Sequence, residues 1–385
     1  MGSWTIEKAL KEPPLYFHPL AGCDISNLRA HFRLTRRCYA DRTRAQRARC
    51  VLAVGLRHPF TLMERLVFTR RVKAHVIPKP PVFIVGHWRS GTTHLHNLLS
   101  RDPQFGSIDF GQTAMPHNIL NPTRFIARSF IAATLPKDRG MDKVKIGILE
   151  PQEEEMALGN LNPICYYNVF YYPQDIKKHF DRSIFLEGTS EEERKAFERS
   201  YRVLVRKLSL ASKGKQLLFK NPASTARLSL LDSLFPGVRF IHIVRNPFVV
   251  FASMLNHYPR LFSAFAWQPF DESIDLEEIV FYKYRRLMTA FLEQRQALGD
   301  RLVETSFEAI VDDPVKEIGR VYDKCGFVGK EGALAEISAY ANRHRSYRQN
   351  SYTLKRSQVD RIRQEWGFAL DQWGYDLPDS IQVVD

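Results

Sequence analysis

The apolar positions of the chain alternate between short continuous runs and longer stretches with helical spacing. Residues 82–85 read Val-Phe-Ile-Val, which is typical of a strand buried on both faces of a parallel sheet. Three further runs, at Gln216–Lys220, 238–244 and 301–305, are each followed by a stretch with apolar residues three or four positions apart. This alternation predicts a three-layer α/β fold, with a central parallel sheet flanked by helices.

Residues 27–75 carry a different pattern, in which arginines are mixed with apolar residues at helical spacing. Residues 1–80 hold 16 Lys and Arg against 5 Asp and Glu, so +11 of the net charge of +14 lies there. We therefore expect a basic helical N-terminal extension over residues 1–79, packed on the core, and a larger domain over residues 80–385. The charge predicts either a solvated helical surface or contact with an anionic partner such as a membrane.

The loop after the first apolar run reads G-H-W-R-S-G-T-T over residues 86–93. Its glycine spacing matches the phosphate-binding P-loop, and it lies between a predicted strand and a predicted helix, as a P-loop does. Backbone N–H groups at a helix start, with the hydroxyls of Ser90, Thr92 and Thr93, are suited to binding a phosphate. Thr92 replaces the lysine that reaches the β- and γ-phosphates in nucleoside triphosphatases. The loop therefore predicts a P-loop-like fold with a site for one phosphate, and Arg89 supplies the positive charge.

A second anion-binding pattern follows the apolar run at 238–244. Arg245 stands at the carboxyl end of this predicted strand, and Ser253 lies eight residues later on the predicted helix. Arginine binds phosphate oxygens with two parallel hydrogen bonds, and ligands of parallel sheets bind at the carboxyl ends of strands. The pattern predicts a site for a second phosphate. The alternative is that Asn246 and Pro247 simply begin a capped helix.

With P-Q-E-E-E-M-A-L at residues 151–158 and L-L-F-K-N-P at residues 217–222, these motifs resemble a known superfamily. It is the sulfotransferases that use 3′-phosphoadenosine-5′-phosphosulfate (PAPS), in particular bacterial members with a G-H-W-R-S-G-T-T loop. The resemblance implies an enzyme that transfers a sulfuryl group from PAPS to a hydroxyl or amine of a small or amphipathic acceptor, with no metal required. It also implies that the 5′-phosphosulfate end of PAPS binds to Arg89, Ser90, Gly91, Thr92 and Thr93. The 3′-phosphate is implied to bind to Arg245 and Ser253.

The chain departs from the cytosolic animal-type members, which carry a catalytic histidine two residues after a lysine that resembles Lys220. Pro222 stands at that second position here, so another group must take the acceptor's proton. Glu153 and Glu155 are candidate general bases, because they follow a helix-start signal and some members of the family use glutamate. The alternative is that these acidic residues only complement the helix dipole. Arg89 and Lys220 are the expected cations that stabilise the developing negative charge.

Other bases and other functions stay open at this point. The fallback bases are His94, His96 and His117. One alternative function is a P-loop kinase or NTPase-like phosphotransferase. The threonine at position 92, where such enzymes have a lysine, argues against it. Another is a non-catalytic, membrane-associated nucleotide-binding module. We expect no nucleic acid partner, because residues 80–385 are nearly charge-balanced and no zinc-finger or RNP-type motif occurs.

The remaining features concern the acceptor and the location of the protein. Five cysteines at wide spacing fit reduced thiols in a cytoplasmic protein. Residues 156–174 hold many aromatic residues, which predict either core packing or one wall of an apolar pocket, with residues 123–135 and 258–275 as further walls. The acceptor is thus a sterol, lipid, phenol, polyketide or carbohydrate. Peripheral membrane contact through the basic N-terminal helices, and the oligomeric state, are left open.

Overall fold

The computed structural model describes residues 5–121, 150–343 and 351–385. The chain divides into two compact units, and each unit is built from separate segments of the sequence. The first unit comprises Met1–Lys79, Gly106–Leu217 and His257–Ile274, and the second comprises Pro80–Phe105, Leu218–Asn256 and Asp275–Asp385. The expected division into a basic extension and a larger domain at residue 79 stays a prediction.

The central element is a five-stranded sheet with the strand order β2-β3-β1-β4-β5. β1 pairs in parallel with β3 and β4, and β4 pairs in parallel with β5. A separate parallel pair joins β6 to β7. The strand bounds are β1 Val82–Val85, β2 Phe105–Gly106, β3 Gln216–Lys220, β4 Arg239–Val244, β5 Leu302–Ser306, β6 Tyr352–Lys355 and β7 Ile381–Val384. The four predicted strands and the central parallel sheet are therefore confirmed.

Helices make up most of the rest of the described chain. In the first unit the α-helices are Ile6–Lys11, Ile25–Leu34, Arg44–Ala74, Phe110–Ala114, Glu154–Leu161, Asn168–Tyr171, Ile176–Ile184 and Glu191–Ala211. In the second unit they are Thr92–Leu99, Leu228–Leu234, Leu276–Arg295, Phe307–Asp312, Pro314–Cys325, Lys330–Arg343 and Arg356–Trp373. The helix Pro247–Phe265 begins in the second unit and ends in the first. Short 3-10 helices cover Pro19–Gly22, Asp41–Thr43, Pro116–Asn118, Pro173–Asp175, Pro222–Ala226 and Gln296–Arg301.

Both faces of the sheet are apolar, because alternate residues of its central strands point to opposite sides. Val82 and Ile84 of β1 pack into a core with side chains of the helix that follows β1. Phe83 faces the other side, where its ring centroid lies 5.0 Å from that of Phe219 and 6.1 Å from that of Phe240. These two residues are its register neighbours on β3 and β4. Burial on both faces explains why the strands appear in the sequence as continuous apolar runs.

The long helix Arg44–Ala74 belongs to the first unit and is attached through a buried ion pair. The carboxylate of Glu64 lies 2.5 Å from the ammonium group of Lys207, and both side chains are nearly inaccessible. The same carboxylate accepts the backbone N–H groups of Leu120 and Asn121, each at 3.1 Å. Such a pair is stable only when further hydrogen bonds satisfy its charges, and Glu64 meets that condition.

One polar pair interrupts the apolar surface of the sheet. His242 on β4 is the register partner of Glu304 on β5, and its Nδ1 lies 3.1 Å from the Glu304 carboxylate. That carboxylate also accepts the indole N–H of Trp373 at 3.0 Å and pairs with Arg295 at 2.9 Å. Burial lowers the pKa of His242, so the ring is neutral at pH 7 and we place its proton on Nδ1. Burial alone would raise the pKa of Glu304, but the hydrogen bonds and the arginine lower it to about 2.

We expect Glu304→Gln to lower the free energy of unfolding by about 1–2 kcal/mol at pH 7, since solvent screens part of a one-third exposed side chain. Folding lowers the pKa of Glu304 from 4.5. Its contribution is therefore present above that pH and is lost as the pH falls towards 2. Urea unfolding between pH 7 and about pH 3 measures this, and a wild-type advantage that stays constant below pH 4.5 contradicts it.

Candidate active site

The loop of residues 86–93 connects β1 to the helix Thr92–Leu99, and its two glycines are required by geometry. Gly86 and Gly91 adopt positive φ angles of 148° and 97°, at which a side chain is strained. A Cβ atom on Gly91 would lie 2.3 Å from the ring of Phe307, and one on Gly86 would lie 2.3 Å from the backbone oxygen of Ile243. The motif glycines therefore permit both the turn and the close packing around it.

The loop is held by hydrogen bonds from within and from a neighbouring segment. The hydroxyl of Ser90 donates to the backbone oxygen of His87 at 2.7 Å. The backbone N–H of Gly86 donates to the hydroxyl of Thr225 at 2.8 Å, a contact that no pattern in the sequence predicts. Gly91 begins the following helix without a side-chain cap. The N–H groups of the first turn are the donors that such a helix start presents to an anion.

The two predicted anion-binding motifs meet in the second unit. β1 and β4 are parallel neighbours, so the loop after β1 and Arg245 after β4 lie at the same edge of the sheet. Arg245 donates to the backbone oxygen of Arg89 at 3.0 Å, and Nε of Arg89 donates to the hydroxyl of Ser253 at 2.9 Å. Arg89 has a positive φ of 72°, which is costly for a residue with a side chain. Two guanidinium groups and a hydroxyl from separate motifs thus form one cluster.

Arg245 is positioned by packing and by the start of the next helix. Its guanidinium lies 4.1 Å from the centroid of the Phe307 ring, the same ring that excludes a side chain at position 91. Asn246 accepts the backbone N–H of Phe248 at 3.1 Å and donates to the backbone oxygen of Asp376 at 2.8 Å. The helix start predicted at Asn246 and Pro247 is therefore confirmed, and it fixes the residue that precedes it.

Lys220 ends β3 opposite Ile84 of β1 and is only 2% exposed, so it is not a solvent-facing lysine. It lies near His96, whose pKa is lowered to about 3, mainly by burial and further by the charge of Lys220. Burial likewise lowers the pKa of His117, in the first unit, to about 3. These two fallback histidines are therefore neutral and weak as proton acceptors near pH 7.

The predicted carboxylates belong to the first unit, and the structure gives them different surroundings. Glu155 is buried, and its carboxylate accepts the backbone N–H of Tyr166 at 2.7 Å. Glu154 is also buried and accepts a tyrosine hydroxyl at 2.7 Å. Glu153 is the N-cap residue of the helix Glu154–Leu161, is partly exposed, and accepts the hydroxyl of Tyr167 at 3.3 Å. Of these three carboxylates, Glu153 is the one that solvent reaches.

The aromatic residues of the segment 156–174 are packed in the core of the first unit. Tyr166, Phe170, Tyr171 and Tyr172 are at most 2% exposed, and the ring centroids of Tyr166 and Phe170 are 5.6 Å apart. Core packing is therefore the correct interpretation for these four rings. Tyr167, which contacts Glu153, is partly exposed. The further candidate wall at residues 123–135 lies outside the described residues.

Sequence reasoning missed Lys283, which lies on the helix Leu276–Arg295 and is 1% exposed. Its Nζ lies 5.1 Å from the ring centroid of Trp88 in the phosphate loop, and burial lowers the pKa of Lys283 well below its ordinary value. The sequence does contain a pattern that predicts burial of this lysine. Lys283 lies four residues after Ile279 and four before Leu287, on the apolar face of the helix. A lysine at such a position indicates a buried amine, because the residues four positions before and after it are apolar.

Across the described ranges, no three or more His, Cys, Asp or Glu side chains are grouped so that they could hold a metal ion. The five cysteines are free thiols. None of the helices in the described part of the chain is both long and apolar enough to cross a membrane.

Fold and cluster together define a class, a P-loop-like α/β protein in which two arginines, a serine hydroxyl and a helix start lie at one edge of the sheet. The family model described as the sulfotransferase family matches residues 80–328. Over 320 residues the chain is 30% identical to the omega-hydroxy-beta-dihydromenaquinone-9 sulfotransferase Stf3 of Mycobacterium bovis and Mycobacterium tuberculosis, covering 82% of this chain and 80% of the relative. The chain therefore belongs to the sulfotransferase family and is a PAPS-dependent enzyme, as the resemblance implied.

Two solved structures share the fold. The sulfotransferase STF9 of Mycobacterium avium superimposes with a TM-score of 0.70 at 14% identity, covering 92% of this chain and 98% of that one. The sulfotransferase STF1 of Mycobacterium tuberculosis gives a TM-score of 0.61 at 14% identity, covering 94% and 92%. At such identities the likeness shows the fold alone, and it confirms the predicted P-loop-like α/β architecture.

Proposed function

We propose that this protein transfers the sulfuryl group of PAPS to a hydroxyl of a lipid-like acceptor. The observation that carries the donor assignment is the cluster in which Arg245 contacts Arg89 and Arg89 contacts Ser253. PAPS carries an activated sulfuryl group and two separate phosphate positions. A strained glycine loop, a helix start and two arginines fit such a ligand, because they offer N–H and guanidinium donors from two adjacent strand ends.

Within this proposal each motif has a distinct role. The loop residues Ser90, Gly91, Thr92 and Thr93 bind the 5′-phosphosulfate end through backbone N–H and hydroxyl groups. Arg245 and Ser253 bind the 3′-phosphate. Arg89 and Lys220 place positive charge where negative charge develops during transfer, and a cation held in a buried position is effective because little water screens it.

We expect Arg245→Ala to weaken binding of 3′-phosphoadenosine-5′-phosphate roughly 10- to 100-fold, as the loss of a charged hydrogen bond predicts. Binding of adenosine 5′-phosphate, which lacks the 3′-phosphate, should weaken by a clearly smaller factor, because it loses only the support that Arg245 gives to the backbone of Arg89. Isothermal titration calorimetry with the two nucleotides measures both affinities. Arg239→Ala, at the opposite end of β4, is the matched control and should leave both unchanged. Equal losses for the two nucleotides in Arg245→Ala would remove the 3′-phosphate assignment.

We further propose that Glu153 accepts the proton of the acceptor hydroxyl. What supports it over Glu155 is its surroundings: Glu155 is buried against the N–H of Tyr166, whereas Glu153 is partly exposed beside the hydroxyl of Tyr167. A general base must be within hydrogen-bond reach of the proton that it takes. Glu155 then holds the start of the helix against the following loop and stays the alternative base.

We expect Glu153→Gln to lower kcat about 100-fold or more, the usual contribution of a positioned base, with unchanged melting temperature and nucleotide affinity. Glu154→Gln is the matched control, because it removes an adjacent carboxylate that binds a buried tyrosine. It should lower the melting temperature and leave the proton-transfer step intact. Steady-state kinetics and thermal unfolding of these variants and of Glu155→Gln separate the roles. A loss of kcat confined to Glu155→Gln, with its melting temperature intact, would transfer the assignment to that residue.

The acceptor proposal rests on the relative whose name gives omega-hydroxy-beta-dihydromenaquinone-9 as its substrate. That molecule is a hydroxylated lipid-like quinone, and the alignment covers 80% of the relative. In this chain, Tyr167 and Glu153 lie at the partly exposed margin of an aromatic core, a setting compatible with an apolar molecule that ends in a hydroxyl. A lipid-like acceptor would place a cytoplasmic enzyme at a membrane surface, and the basic helices of residues 27–75 are the proposed peripheral contact.

We expect turnover of long-chain hydroxylated isoprenoids and quinones, with KM falling as the apolar chain lengthens, because each buried methylene adds about 0.8 kcal/mol. Mass spectrometry of the sulfated product, with PAPS as donor, measures this on an acceptor panel. The panel should include a simple phenol, a sterol and a monosaccharide. Turnover of only the phenol or the monosaccharide would overturn the acceptor class while leaving the donor assignment in place.

A further inference from the structure

The helix Arg44–Ala74 of the first unit exposes a row of apolar side chains, here called the apolar stripe. The exposed fractions of Leu56 and Leu66 are 68% and 84%. Lone exposed apolar residues are ordinary on protein surfaces, but a contiguous set marks a partner or a membrane. The stripe consists of Leu52, Leu56, Phe60, Met63, Leu66 and Val67, all of them exposed.

The stripe lies on one face of the helix, because Leu52, Leu56, Phe60 and Met63 follow one another three or four residues apart, and the last two members lie three and four residues after Met63. The opposite face meets the interior through a separate buried set, which includes Cys50, Val54, Thr61 and Val72. The helix therefore satisfies its need for core packing without the stripe. The exposed apolar face requires an explanation other than the folding of this unit.

The charges on the same helix indicate what covers the stripe. Among its 31 residues, the helix carries eight Arg and Lys and one acidic residue, Glu64. Glu64 is turned inward and paired with Lys207, so the exposed surface of the helix is entirely basic in its charge. Basic residues stand before the stripe and after it, at Arg44, Arg49, Arg70, Arg71 and Lys73.

An apolar face bordered by basic residues is the pattern of helices that lie in the plane of an anionic membrane. A second copy of this chain fits less well, because two such helices would bring like charges together, which disfavours association. The helix is about 46 Å long at 1.5 Å per residue, yet none in the described part of the chain is suited to crossing a bilayer. The pattern therefore favours a helix lying along the surface.

We propose that the helix Arg44–Ala74 docks this protein on an anionic bilayer, with the apolar stripe inserted at the headgroup boundary and the flanking arginines against lipid phosphates. The inference goes beyond sulfuryl transfer and does not depend on the identity of the acceptor. It concerns insertion of a defined face, in addition to electrostatic contact of a basic segment.

The test uses the full-length protein and co-sedimentation with vesicles of phosphatidylcholine plus phosphatidylglycerol, and with vesicles of phosphatidylcholine alone. Wild type should bind the anionic vesicles. The Leu66→Glu variant should partition onto the anionic vesicles at least tenfold less than wild type. Burial of one apolar side chain contributes about 1.5–3 kcal/mol to binding. Val328→Glu is the matched control, since Val328 is 71% exposed on the second unit and the change adds the same charge. It should alter binding less than about twofold, since a single surface charge changes the interaction little.

A second pair of variants separates charge from insertion. The double variant Arg70→Gln/Arg71→Gln should bind anionic vesicles roughly 30-fold more weakly than wild type. Each arginine near such a surface raises the binding affinity about fivefold. In Leu66→Trp, the indole emission should shift to the blue on binding and be quenched by lipids brominated on their acyl chains.

Three results would overturn the proposal: no binding of wild type to anionic vesicles, equal binding of Leu66→Glu and Val328→Glu, or a lipid-free dimer that Leu66→Glu dissociates. The last result would show that a second copy covers the stripe. The rise in melting temperature on adding 3′-phosphoadenosine-5′-phosphate should be the same in every variant. A failure of membrane docking can therefore be told apart from a failure of the proposed function.

Discussion

The hydrogen bond from Arg245 to the backbone oxygen of Arg89 is the contact on which the site in the second unit depends. It joins the end of β4 to the loop after β1, and it exists because the two strands are parallel neighbours. Arg89 holds a positive φ of 72°, and a strained residue of this kind persists only when its surroundings fix it. Arg245 acts on the backbone of that residue and Ser253 on its guanidinium, so both ends of Arg89 are held.

Phe307 connects a third strand, β5, to the contact between Arg245 and Arg89. The residue follows β5 directly, and its ring lies under the Arg245 guanidinium and against Gly91. A side chain at position 91 would displace the ring, and displacement of the ring would release Arg245. The glycine of the phosphate loop therefore does more than permit a turn, since it also admits the aromatic ring that orients the second motif. Three adjacent parallel strands thus contribute to the cluster that is proposed as the anion site, and ligands of parallel sheets bind at the carboxyl ends of strands.

The sequence predicted those parts of the structure that local patterns determine. Continuous apolar runs located the strands, because burial on both faces removes the polar alternation. One helix start followed from Asn246 and Pro247, where the side chain of Asn246 accepts the N–H of Phe248. Contacts between distant segments were not predictable in this way, as shown by Phe307 beneath Gly91 and by Lys283 beside Trp88. The roles of the binding residues stay predictions, because the proximity of two motifs does not by itself assign a phosphate to each.

The three consecutive glutamates show how one segment gives chemically similar residues different tasks. Successive residues of a helix diverge by about 100°, so adjacent carboxylates meet different neighbours. Glu154 binds the hydroxyl of Tyr201 and Glu155 binds the N–H of Tyr166. Both carboxylates are buried, and each is committed to a group that would lose its hydrogen-bond acceptor if the carboxylate moved. Glu153 precedes the first helical turn, so its direction is set by extended backbone and it remains at the partly exposed margin. A base must exchange its proton with acceptor and solvent in each cycle, and that requirement favours the residue just outside the helix over the two within it.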